Sequence, residues 1–175
     1  MRWELLFADL QSQLAAGEQL EDENTVLELT EAETAQVGLA DRLRARSTGT
    51  VTLRLRGGQD VTGSVLDAAP GWFLLAEGER RVLVPATAVV MVWPLGGAAP
   101  PTPGVERRLR VTHALRALAR QGFRVRVSTD VGDVVGWVVR VGADHLDVRP
   151  DRDGGAGAPV PVTVPLGALL AVRTT

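Results

Sequence analysis

Residues 82–93 read VLVPATAVVMVW, and residues 162–173 read VTVPLGALLAVR. An aliphatic pair of runs around a proline and small residues thus occurs twice. Self-similarity at long spacing marks one structural unit used more than once. A chain of 175 residues has room for one ordinary domain or two small ones, so the repeat predicts the second arrangement.

The residues before each phrase repeat as well. Val51, Leu53 and Leu55 alternate with Thr52, Arg54 and Arg56, the period-two pattern of a half-buried strand. RGGQD (56–60) reads as a turn and VTGSVLD (61–67) as a strand bent at Gly63. AAPG (68–71) turns the chain into WFLLAE (72–77), and RVLVP (81–85) and AVVMVW (88–93) follow. In the second unit Phe123, Val125 and Val127 alternate with Arg124 and Arg126, and VVGWVVR (134–140) carries Gly136 in the place of Gly63. HLDV (145–148), a glycine-rich loop over 149–159, VTVP and ALLAV complete it. Each unit therefore reads as five short strands with tight turns. Such strands are expected to close into a small barrel, which removes exposed edges.

Helical patterns precede both units. Leu43-Arg44-Ala45 matches Leu115-Arg116-Ala117, and Val111, Leu115 and Leu118 form the apolar side of the segment 105–122. PLGGAAPPTPG (94–104) reads as a stiff linker. Near the start, Trp3, Phe7, Leu10 and Leu14 fall on one helical stripe, with Gly17 as a stop, and Thr30 with Glu33 suits a capping box in the helical stretch that follows. The fold class expected is α+β: an N-terminal helical arm plus two tandem SH3/Sm-like five-stranded small β-barrels, each preceded by a helix. The boundaries are 1–46 for the acidic arm and first leading helix, 47–93 for the first barrel, 94–104 for the linker, and 105–175 for the second helix and barrel.

Charge divides along the same lines. Residues 1–40 hold nine acids and one arginine, whereas 41–175 hold twelve acids and eighteen arginines. An acidic arm thus precedes a basic body, and the arm is a candidate internal competitor for that body's ligands. There is no lysine, so every basic residue is arginine, a bias that also fits a high-GC bacterial genome. There is no cysteine, which excludes disulfides and thiol chemistry and fits a cytoplasmic protein. No apolar run nears the roughly 20 residues that span a bilayer, and MRWELLFADLQSQL lacks the layout of a secretory signal. No membrane association is expected.

The segment VTLRLRGGQDVTGSVLDAAPGWFLLAE (51–77) resembles the Sm-like barrel of the Hfq family, in its alternating strand, Gly58, Gly63, Val65 and Leu74-Leu75. That resemblance implies a barrel fold with a leading helix. Ala69-Pro70 stands where the family has Asp-Asn, and Val84-Pro85-Ala86 where it has the RNA-contacting Tyr-Lys-His, so those contacts do not carry over. The second unit, ending VTVP, is also similar to PRC-barrels, small barrels used for protein docking and RNA-processing assembly. The opening MRWE and FADL are similar to uncharacterised actinobacterial proteins, a likeness that implies no function.

No catalytic or cofactor pattern emerges. Ser12, Ser47, Ser64 and Ser128 lack the setting of a nucleophile beside His113 or His145. Asp144 and His145 are too few for a metal site, and DRDGG (151–155) lacks the later acid of a calcium loop. The glycine pairs at 57–58, 96–97 and 154–155 do not precede a phosphate-loop helix. No enzyme, metal or small-molecule cofactor is expected.

The expected function is that of a non-enzymatic binding protein, an adaptor or regulatory module working through barrel and helix surfaces. Its partner is a protein, or a second copy held through Trp3, Phe7 and Leu10. Trp137, with Val135 and Val139, adds an apolar face that the first barrel or the arm is expected to cover. The alternative is RNA or single-stranded nucleic-acid binding. Arg54, Arg56, Arg124 and Arg126 would meet phosphates, with Trp72 as a stacking surface. The competing reading of these residues is a solvated outer face and an ordinary wall tryptophan.

Overall fold

The computed structural model describes residues 37–46, 49–95, 110–151 and 160–175. Gly38–Thr175 form one compact unit. Trp3, Phe7 and Leu10, like the rest of the acidic arm to residue 36, lie outside the described residues, as do 96–109 and 152–159.

The described chain is an antiparallel sheet with two helices, an α+β arrangement. In order come α1 (Leu39–Ala45), β1 (Val51–Leu55), β2 (Asp60–Ala69), β3 (Trp72–Glu77), β4 (Arg80–Pro85) and β5 (Val89–Trp93). They are followed by α2 (Val111–Gln121), β6 (Arg124–Thr129), β7 (Gly132–Val141), β8 (His145–Pro150), β9 (Val162–Pro165) and β10 (Leu169–Thr174). A 3-10 turn joins β4 to β5 (Ala86–Ala88) and β9 to β10 (Leu166–Ala168). The ten strands form one sheet in the order β5-β1-β2-β3-β4-β10-β6-β7-β8-β9.

The two halves agree pair for pair. Val51 faces Gly63 and Val125 faces Gly136; Leu53 faces Val92 and Val127 faces Val172; Trp72 faces Pro85 and His145 faces Pro165. Even the irregularities recur. The register slips at Val65/Asp67 in β2 and at Val138/Arg140 in β7, so Leu66 and Val139 are the extra residues of equivalent bulges. These pairings also correct the alignment of the arginines. Arg126 corresponds to Thr52, whereas Arg54 corresponds to Ser128. Phe123 precedes β6 and is exposed, so it does not continue the buried alternation of Val125 and Val127.

Gly63 and Gly136 sit where the bent strands cross close to their neighbours. A Cβ at Gly63 would overlap the carbonyl of Ala76, and one at Gly136 the carbonyl of Arg149. Only glycine permits that approach. At the end of α2, Gly122 adopts φ 67°, the left-handed conformation that closes a helix, and its N–H bonds the Ala119 carbonyl at 3.2 Å.

The halves meet through β4 and β10, where Leu83 faces Val172 and Val82 faces Arg173. This joint mixes their cores. Leu170 and Ala171 of the second half lie in the core built by Leu43, Val51, Leu53, Phe73, Val82 and Val84. In return Ala69, Trp72 and Leu83 of the first half lie in the core built by Leu115, Val125, Val127, Leu146 and Val164. Leu115 is fully buried, with Val111 and Leu118 packed at the margin of that core. Burying these apolar side chains across the joint is the main force holding the halves together. The Trp137 face is covered only in part. Val135 and Trp137 remain half-buried and Val139 is exposed.

Candidate functional site

The outward arginines of β1 and β6 follow from strand alternation: their neighbours Val51, Leu53, Leu55, Val125 and Val127 point to the cores. Each of the four meets an aspartate. Arg54 grips Asp60, its cross-strand partner, through Nε and Nη2 at 2.8 and 2.9 Å. Its guanidinium also stacks 5.2 Å from the Trp93 ring centroid. Arg56 donates to the Gly167 carbonyl at 2.9 Å and stands 3.5 Å from Asp130, linking the first half's turn to the second half. Arg124 holds Asp151, and Arg126 reaches Asp133 at 3.0 Å. Such exposed pairs add little stability, because water and salt screen them. Their consequence is electrostatic: the expected phosphate track carries its own counter-ions.

Hydrogen bonds from Arg54 hold the Asp60 carboxyl below the usual carboxylate range, and those from Arg124 do the same for Asp151. The folded state thus favours both charged forms. Their contribution to stability is complete above the usual carboxylate range and is lost as pH falls through the lowered folded values. In an NMR pH titration Asp60 and Asp151 are expected to titrate below ordinary aspartates. Arg54→Gln should return Asp60 to the ordinary range, and Arg124→Gln should do so for Asp151. Unchanged titrations in the variants would contradict these pairings.

A recess of about 220 Å³ opens at the joint, lined by Arg80, Arg124, Arg126, Arg173, Thr174 and Thr175. Arg173 lies 3.6 Å from Glu77 and donates to Ser128 Oγ at 3.4 Å. Among the described residues Arg80 has no ion-pair partner. Arg80 and Arg173 were not singled out in the sequence. Arg173 had one visible signal, since it replaces Trp93 at the end of the repeated phrase. The joint brings Arg124 and Arg126 together with these two residues, whereas Arg54 and Arg56 do not line the recess.

Trp72 is only 5 % exposed and belongs to the second half's core. Its ring is wall, not a platform for a base. Trp137 is half-buried, with the Arg149 guanidinium 5.9 Å from its ring centroid. Asp144 lies 2.8 Å from His145 Nδ1, and that bond lowers the Asp144 pKa. Among the described residues no three potential metal ligands gather, and no helix is long and apolar enough to cross a membrane.

The bulges expose a feature that alternation alone hides. An extra residue reverses which face a side chain takes. Leu66 is 49 % exposed and Val139 45 %, at equivalent positions of β2 and β7. The chain matches no protein-family model and no curated protein.

Proposed function

We propose that this protein is a non-enzymatic binding module, an adaptor or regulator, built on two SH3/Sm-like barrels and working in the cytoplasm. Each half of the sheet, with its leading helix, is one barrel unit. The observation that carries this reading is the pair of repeated bulges. A large aliphatic side chain facing water at the same place in both halves offers two related docking points. Beside Val139, the half-buried Trp137 supplies the kind of aromatic anchor that dominates docking energetics. A protein partner that copurifies with the full chain should be lost from a Leu66→Ser, Val139→Ser variant and kept by Arg124→Gln. Retention by the double variant would reject the bulges as the docking points.

A second reading, RNA or single-stranded nucleic-acid binding, is supported by the recess in which Arg80 and Arg173 join Arg124 and Arg126. Fluorescence anisotropy of labelled single-stranded RNA separates the two. Phosphate binding should weaken with salt at a log–log slope of about −0.7 per phosphate contacted. Arg80→Gln with Arg173→Gln should then weaken binding more than Arg54→Gln does. Absence of binding at low salt would remove this second reading.

A further inference from the structure

Strand alternation places Arg124 and Arg126 of β6, Val135 and Trp137 of β7 and Arg149 of β8 on one outward face, because the intervening Val125, Gly136, Val138 and Val148 are buried. The register sets them in two rows: Arg126 faces Val135, and Trp137 stands between Arg124 and Arg149. The internal repeat separates these side chains from the needs of the fold. Thr50 and Thr52 stand in the first half where the second has Arg124 and Arg126. Thr62, Ser64 and Ala76 stand in place of Val135, Trp137 and Arg149. The same strands are thus built from small neutral residues in one half and from arginine, tryptophan and valine in the other.

We propose that this face docks an acidic protein segment. An extended peptide covers Trp137 with a central apolar side chain, and its flanking carboxylates meet Arg124 and Arg149. The inference rests on reading the protein as a binding module, and it adds a site apart from the bulges: Leu66 and Val139 are no part of it.

Charge carries the choice of partner. Arg80 and Arg173 extend the face across the joint, where they line the recess with Arg124 and Arg126. Glu77, Asp133 and Asp151 meet Arg173, Arg126 and Arg124. Arg80 and Arg149 have no ion-pair partner among the described residues, so five arginines face three carboxylates and a positive excess remains. Arg124 meets Asp151 through Nε and Nη2 together, the forked contact that suits a carboxylate.

Trp137 favours a peptide over a nucleic acid. Arg149 already lies over its ring, 5.9 Å from the centroid, where a stacked base would have to sit. A peptide side chain needs only the part of the ring left open and the neighbouring Val135, both half-buried. The spacing also fits. Neighbouring strands lie about 4.8 Å apart, which sets Arg124 and Arg149 about 10 Å apart on either side of Trp137. In an extended peptide, acids two residues before and two after an apolar residue share its face and span about 13 Å. Arginine side chains are long enough to take up the difference.

Fluorescence anisotropy tests this with the full chain and a labelled peptide that carries glutamates at alternate positions around one phenylalanine. Saturable submillimolar binding is expected. Replacing the phenylalanine by serine, or the glutamates by glutamine, should weaken it about tenfold or more, as for a central anchor. Trp137→Ser and Arg149→Ala copy residues that the first half carries at these positions, and each should weaken binding by a similar factor. Thermal melting checks that both are folded. Arg149→Glu, an exposed charge reversal, should abolish binding and tests the site even where Trp137→Ser does not fold. Arg54→Gln should bind as wild type does. Absence of saturable binding would overturn the proposal, as would equal binding of the peptide that lacks phenylalanine. Displacement of the peptide by single-stranded RNA whose own binding is lost in Arg149→Ala would assign the face to nucleic acid instead. The Leu66→Ser, Val139→Ser variant should still bind the peptide. Loss there with retention in Arg149→Ala would remove this site and leave the bulges as the docking points. Conversely, peptide binding lost in Arg149→Ala would stand even where no partner depends on the bulges.

Discussion

Alanine at Gly63 is expected to destabilise the protein by about 3 kcal/mol, the upper end for overpacking. In an ordinary strand the same change would be favourable, because glycine costs roughly 0.5–1 kcal/mol relative to alanine. The sign reverses here because the new methyl would meet the backbone carbonyl of Ala76, which cannot rotate aside as a side chain can. Gly136→Ala should cost a similar amount against the carbonyl of Arg149. Gly71→Ala is the control, since a Cβ there meets nothing within 4 Å. Urea denaturation reads all three. Stabilities of Gly63→Ala and Gly71→Ala that agree within about 0.5 kcal/mol, the scatter of neutral surface changes, would contradict the close crossing.

Leu170→Ala is expected to cost about 3–4 kcal/mol, as for other fully buried leucines. The residue belongs to the second half by sequence and to the first half's core by packing. Its loss should therefore lower one shared transition rather than split the melt in two. Tryptophan fluorescence and far-UV circular dichroism should give coincident curves for wild type and variant. Two separated transitions would mean that the halves unfold independently. Val90→Ala, at the matching position of the first half, removes an exposed side chain and should change stability by under about 0.5 kcal/mol.

Much of the strand order was legible because each strand is short, alternating and bounded by turn residues. The glycine pair and the repeated phrase fixed which strands correspond. The exchange of core residues was also written in the sequence, in a subtler form. WFLL in β3 is apolar at every position, whereas HLDV in β8 alternates. A continuous apolar run suits a strand covered on both faces, and alternation suits one covered on a single face. β3 serves two cores with Trp72 and Phe73, while β8 keeps His145 and Asp147 outside. The bulges were not legible, because an extra residue leaves no mark on a pattern of hydrophobicity once two aliphatic residues adjoin. Nor were the partners of Arg124 and Arg56, which sit across turns and halves; Arg54 with Asp60 alone follows from hairpin register.

The crossing of Leu170 and Ala171 into the first core also sets an order of events during synthesis. Helix α1 and strands β1 to β5 leave the ribosome long before β10 does. Until it arrives, Val82 and Val84 belong to a core that lacks two of its members. Contacts between segments so far apart in the chain form slowly, and the loop between them must be closed before they repay its entropy. The nascent first half thus spends its early life with an open β4 edge and apolar surface, the state most prone to aggregation. The last strand described acts as the latch that ends this exposure.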